Sequence, residues 1–370
     1  MEARESFDRV WGIRRGFEGL LTRQTVNLSS LSGDRLARLA TTPSAGLGTS
    51  RLRPTSDQLV EILNQLDELN ASALIGIGGN DTADSLDRLG QLAETRNSRV
   101  QVIGLPKTID NDLAATDHSL GYPSAARYIA AYVRDTHLDA LATASQYQVK
   151  FIEVMGRNAG WLAASSVLWV PASLSPPIVA LPERPFPSES ELLDVIERRV
   201  DADGFAVVVV PETMRWADGT HVSGPTPEWV DAFGHPYHAS AGRALLRACS
   251  QHLGLRCRID QPGSVSRASI DYASPIDLDE AVECGRFAVR SIADGASRQS
   301  IVINRLSSSP YESTPGLALL SSIANVEVRI PDEMIQPAGR QLAAAFFEYA
   351  MPLVGNSNRQ YEIIDWTEAV

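Results

Sequence analysis

An α/β fold built on mainly parallel sheets is predicted by three observations. Short, nearly continuous apolar runs such as "ALIGI" and "FAVVVV" recur along the chain. Stretches with apolar residues at helical spacing separate them, and each run ends in a loop rich in glycine or charged residues. Strands that read as unbroken apolar runs are buried on both faces, which requires helices above and below a parallel sheet.

The elements follow in order. In "TSDQLVEILNQLDELN" the residues Leu59, Val60, Leu63 and Leu66 share one helical face, and Thr55 or Ser56 can cap the start. That helix feeds the strand "ALIGI". A polar helix from about Asp81, the strand "RVQVIGL", a long helix from about Ser124 into the 130s and the strand "VKFIEVM" come next. Then follow the helix "NAGWLAASSVLWV", the strand "PIVAL", the helix "ESELLDVIERRV" and the strand "FAVVVV".

The 370 residues, 44% apolar and 21% charged, can hold one large or two moderate domains; two α/β lobes are expected, with no compositional boundary between them. A net charge of -12 and pI near 5.0, with scattered Lys and Arg, argue against a nucleic acid or anionic membrane as partner and leave room for a local anion pocket. No apolar run is long enough to span a bilayer, and "MEARESFDR" has no signal-peptide core behind it. Cys249, Cys257 and Cys284 lack metal-type spacing and fit a reducing cytoplasm. The histidines His118, His137, His221, His235, His238 and His252 form neither a metal pattern nor a Ser-His-Asp order.

In such sheets ligands sit beyond the carboxyl ends of the strands, so the loops there are the candidates for chemistry. "GGNDT" offers Gly78 and Gly79 for a tight turn and free amides near Asp81 and Thr82 for phosphate; plain punctuation is the commoner meaning of such a turn. "PKTIDND" is more specific. Lys107 can pair with a phosphoryl group, while one of Asp110 and Asp112 takes a proton from a hydroxyl and the other helps hold a metal; a solvated turn is the alternative. Arg157 in "MGRNAGW" sits where an anion would bind, or is a surface arginine with a local acid. Glu212 in "PET" reads equally as a helix-start acid or a ligand for sugar hydroxyls. Together these loops point to Mg-dependent phosphoryl transfer on a small phosphorylated substrate.

The ordered motifs "VWGIRRGFEGLL", "GLGTSR", "GGNDT", "PKTIDND", "TDHSLGYPSAARYIA", "EVMGRNAGWLAASS", "DAFGH", "SPIDLDEAVECGRFAVRSIADG" and "NVEVRIP" resemble the phosphofructokinase family over most of the chain. The resemblance implies two Rossmann-like lobes with the active site in the cleft between them. Residues 1–123 plus about 266–320 would form the larger, N-terminally truncated phosphoryl-donor lobe, and 124–265 plus about 321–350 the smaller fructose 6-phosphate lobe.

It also implies transfer of a phosphoryl group to the C1 hydroxyl of fructose 6-phosphate, a step of glycolysis. By similarity Asp110 is the base, Thr108 lies beside the transferred group, and Asp112, with Asn80 at a second metal position, lies near Mg2+. Arg157, Met155 and Gly156 would bind substrate and the transferring phosphate, and Glu212 the sugar. Arg258 and Arg267 match arginines that hold the 6-phosphate; Arg258 would come from a neighbouring subunit, which implies a homodimer or homotetramer with shared active sites. Gly79, Asp81, Thr82, Lys107 and Arg51 would face the donor. A carboxylate at Asp81, where ATP-using members usually carry glycine, would crowd and repel an α-phosphate, and Lys107 can pair with a terminal phosphate; this pair resembles the diphosphate-dependent branch.

The departures are Asn80 for a Mg-binding Asp, "GSVSR" around Arg267, Gln148 for an arginine, and the absence of the family's first strand, glycine-rich loop and helix before "VWGI". That unit would supply amide donors and cover a strand edge. An active diphosphate-dependent enzyme is the leading reading; a catalytically silent relative and an ATP-dependent kinase are the alternatives.

Overall fold

The apolar runs form two sheets in the computed structural model, which describes residues 6–230, 236–337, 339–357 and 361–363. The strands are β1 (Trp11–Ile13), β2 (Thr25–Asn27), β3 (Ala73–Gly78), β4 (Gln101–Thr108), β5 (Leu120–Gly121), β6 (Val149–Val154), β7 (Ile178–Val179), β8 (Ala206–Pro211), β9 (Trp229–Val230), β10 (Pro236–Tyr237), β11 (Cys257–Asp260), β12 (Gln299–Ser308) and β13 (Tyr311–Leu319). One sheet has the order β13-β12-β4-β3, with β5 added beside β4; the other has the order β11-β6-β8-β7.

Every pairing in these two sheets is parallel except β12 with β13. The α/β expectation is therefore met, with an antiparallel hairpin at one edge. All six residues of β6 and all six of β8 are buried, as unbroken apolar runs require. Their side chains alternate between two cores: Phe151 and Val208 pack with Leu192, Ile196 and Leu245, while Ile152 and Val209 pack with Ile129, Leu162 and Phe346. In the other sheet Val102 faces Ile62, Leu63 and Leu86, and Ile103 faces Cys284, Ala288 and Ile292. β3 is an edge strand, and its Ile77 is 60% exposed.

The local signals act as the sequence indicates. Thr55, not Ser56, caps the helix Ser56–Glu68, in a reciprocal pair: its hydroxyl accepts the Gln58 N–H and the Gln58 side chain accepts the Thr55 N–H. The helix expected over "NAGWLAASSVLWV" is shorter, Trp161–Ser165. Residues after it bond three back instead of four, as in Ser166 to Ala163, Val167 to Ala164 and Leu168 to Ser165, and the stretch before it is held as a loop by side chains. Of "PIVAL" only Ile178 and Val179 pair with β8. The "DAFGH" motif, His235 included, lies outside the described residues. The three cysteines are free thiols.

Two buried polar arrangements fix the chain that leaves β4. Asp277 accepts the Gly121 and Ser124 N–H groups at 2.8 and 3.2 Å, capping the helix Tyr122–Ala142 from across the fold. His118 lies between Asp117 at 2.8 Å and Glu280 at 2.7 Å, and Arg305 bonds Asp117 in turn. Burial opposes charge on His118, but the two carboxylates outweigh it and raise its pKa.

Candidate active site

The loops after β4, β6 and β8 leave the carboxyl ends of their strands and converge. Asn111 makes the first possible: buried, with φ 55°, it reverses the chain in a left-handed conformation that asparagine tolerates better than most residues. Its carboxamide accepts the Ser119 N–H at 2.9 Å and donates to the Tyr349 hydroxyl at 2.8 Å. Asp110 and Asp112 thus flank a fixed residue. Thr108 accepts the Asp110 N–H at 3.1 Å through its hydroxyl.

After β6, Gly156 takes φ 129°, which an L side chain rarely adopts, and turns the chain into Arg157. Thr213, from the end of β8, donates its hydroxyl to the Arg157 carbonyl at 2.9 Å, and the Glu212 N–H donates to the Val154 carbonyl. Met155 packs against the core beneath.

The electrostatics show which charges meet. Burial raises Asp110, with Glu327 adding to the effect and Arg157, Lys107 and Arg267 opposing it. Burial, then the charges of Asp110 and Glu327, push Asp112 up to about 7. Glu212 is also pushed up to about 7, by burial and then by Asp110 and Glu153, against Arg157 and Arg267. Burial and Arg267 lower Lys107 against the pull of Asp110, although its stem is open to solvent. Lys107, Asp110, Asp112, Arg157, Glu212 and Arg267 therefore share one site. Acids with raised pKa values, Asp112 and Glu212 up to about 7, among three cations suit a hydroxyl that must lose a proton beside an anion.

The turn after β3 abuts it. Gly78 is required there: a Cβ would stand 2.1 Å from the Thr82 hydroxyl oxygen. Gly79 precedes the helix Asn80–Thr95 beside the end of β4, with Asp81 in the first turn. The amide nitrogen of Asn80, oriented by its hydrogen bonds, faces the carbonyls of Ile323 and Val326 at 2.8 and 3.0 Å; only its oxygen remains for any further ligand.

Two expected residues, Arg51 and Arg258, stand apart from this cluster, as does Gln148, noted as a departure. Arg51 is exposed and bonds the Tyr237 hydroxyl, its guanidinium over that ring. Arg258 is exposed on the edge strand β11, stacked 4.4 Å over Tyr147. Gln148 accepts the Arg256 N–H at 3.0 Å, joining the starts of β6 and β11. Conversely, Arg53 was not read as a site residue, yet it bonds Asp84 at 2.8 Å and feels the charge of Asp81. Glu327 and its partner Asn158 were also missed, although both lie inside quoted motifs. Among the described residues no group of three or more His, Cys, Asp or Glu could by itself hold a metal ion, and no helix is long and apolar enough to cross a membrane.

Comparison with known proteins agrees with this geometry. The sequence matches the family model described as Phosphofructokinase over residues 2–292. It is 33% identical to a pyrophosphate–fructose 6-phosphate 1-phosphotransferase of Xanthomonas campestris pv. campestris (strain B100), covering 95% of this chain and 86% of that protein. A protein of the same description from Halomonas elongata is 32% identical, covering 94% and 84%. The fold superposes on a pyrophosphate-dependent phosphofructokinase from Nitrosospira multiformis with TM-score 0.86 and 28% identity, covering 98% of this chain and 88% of that one.

Proposed function

The chain belongs to the phosphofructokinase family, and on that premise we propose that it transfers a phosphoryl group from diphosphate to the C1 hydroxyl of fructose 6-phosphate, giving fructose 1,6-bisphosphate. The observation that carries this reading is half-buried Asp110 among Lys107, Arg157 and Arg267. The sugar oxygen attacks the terminal phosphorus, the bridging P–O bond breaks, orthophosphate leaves, and Asp110 takes the hydroxyl proton. Arg157 and Lys107 offset the charge on the transferred group, and Glu212 and Arg267 hold the sugar phosphate. The reaction exchanges one phosphoanhydride for a phosphate ester and runs in either direction.

Magnesium fits the site. The charge of Asp110 helps to raise the pKa of Asp112, a repulsion a cation would relieve. Mg2+ binds through one or two carboxylates plus substrate phosphates, so a pair of neighbouring carboxylates suits it. Asp112 would hold it, with Asn80 as the other candidate ligand; when bound it would supply charge neutralisation on the phosphates.

Arg258 on the outer edge of β11 supports a homodimer or homotetramer in which it serves a neighbour's site. A glycolytic role in the cytoplasm accompanies this reading.

The deciding experiment supplies the purified chain with fructose 6-phosphate and Mg2+ and compares diphosphate with ATP. Turnover with diphosphate and not ATP is the expected result. Fructose 6-phosphate binding without turnover from either donor would instead identify a non-catalytic relative, and turnover with ATP would overturn the donor assignment.

The pH profile gives a second check. Asp110 acts as base only when ionised, and its pKa is raised, so kcat rises with pH. The acid limb should lie above the ordinary carboxylate range near ~4. A rate already at its plateau at pH ~5 would remove Asp110 from that role.

A further inference from the structure

The segment from Ile323 to Ile330 follows no strand end of the site and enters the chemistry above only through the charge of Glu327, yet it ties together the loops after β3, β4 and β6. At one end the Asn80 carboxamide donates to its carbonyls and Asn325 donates to Asp84 at 2.9 Å, fixing it to the start of the helix behind the donor turn. In the middle the Val328 N–H donates to the Asp112 carbonyl at 2.8 Å, and Glu327 bridges Leu113 through the backbone. At the far end the Ile330 N–H and the Gly160 N–H share one oxygen of Glu183, at 3.0 and 2.9 Å. Glu327 alone of these residues sends its side chain to the loop after β6: Asn158 donates to both carboxylate oxygens, at 3.0 and 2.8 Å.

Asn158 is the neighbour of Arg157, whose carbonyl is held by Thr213. The Arg157 loop is thus clamped between β8 and the segment that also binds Asp112. The geometry points to Glu327 as a positioning residue that sets the Arg157 loop, through Asn158, against the Asp110 and Asp112 loop. Glu327 is exposed, so its bonds with Asn158 add little to global stability. Their effect is on alignment, where a displacement of about 1 Å can cost on the order of a hundredfold in rate.

This inference rests on the phosphoryl-transfer reading for its kinetic consequence but not for its structural one, so two readouts separate them. Hydrogen exchange over residues 156–160 of the full chain, without substrate, should quicken about tenfold in both Glu327→Ala and Asn158→Ala and stay near wild type in Glu327→Gln, which keeps an acceptor. In turnover, kcat should fall about tenfold or more in either alanine variant with KM for fructose 6-phosphate moved less, and the double variant should be no worse than one single. Unchanged exchange in Glu327→Ala would overturn the clamp whether or not the chain turns over. Glu327→Gln as impaired as Glu327→Ala would also overturn it, since the carboxylate's charge and not its hold on Asn158 would then matter. Absence of turnover in wild type together with quickened exchange would leave the clamp standing and defeat the catalytic reading.

Discussion

Asp110→Asn is expected to remove nearly all turnover, by about 10²–10⁴ in kcat, while fructose 6-phosphate still binds. Asparagine keeps the shape and can still receive bonds, but it cannot take the proton from the attacking hydroxyl. Asp110 is half-buried and its pKa raised by desolvation, so ionising it opposes folding. A carboxyl raised in the folded state loses stability as pH climbs past the unfolded value near ~4. The amide escapes that loss, and the variant should melt no lower than wild type at pH ~8. Steady-state rates, calorimetric binding and a melting curve check all parts together. A kcat within about tenfold of wild type would show that another group accepts the proton.

Asp81→Gly is expected to open the site to ATP. Asp81 lies in the first turn of the helix behind the Gly79 turn, where a donor's phosphates meet free helix amides. A carboxylate about 4 Å from an α-phosphate opposes it by roughly 4 kcal/mol at an effective dielectric of about 20. Solvent and Arg53, which feels Asp81, reduce that figure. Removing the carboxylate should therefore raise kcat/KM for ATP by about ten- to a hundredfold, with diphosphate use changed less. The ratio of the two kcat/KM values in wild type and variant is the measurement. An unmoved ratio would mean that Lys107 or the space around the turn sets donor choice.

The fold was legible wherever burial on both faces left an unbroken apolar run, as in β6 and β8, and where a cap announced a helix, as at Thr55. The β12–β13 hairpin was not read from the sequence. Its far half alternates between half-buried and exposed residues, as in "NRLSS" and "YEST", and carries no strand-like apolar run; the apolar, buried stretch 301–303 that begins it is only three residues long. In the site, Lys107, Asp110, Asp112, Arg157 and Glu212 were nameable because each stands at or just beyond the carboxyl end of a strand. Glu327 and Asn158 were not, because their importance lies in a contact between segments far apart in the chain, which spacing does not encode. Arg51 drew attention and Arg53 did not for the same reason: only the fold shows which of two nearby arginines turns towards Asp84.

The sheet order has a consequence for how the protein is made. β6, β7 and β8 leave the ribosome together and can pair at once, with β11 joining soon after. β4 cannot be enclosed until β12 and β13 emerge much later, and the Asp112 loop waits longer still for Val328. One sheet is therefore a local, early product of synthesis. The other, with its acidic loop, closes only in the last stage, and a nascent chain stalled before β12 would carry a nearly finished four-stranded sheet and no assembled active site.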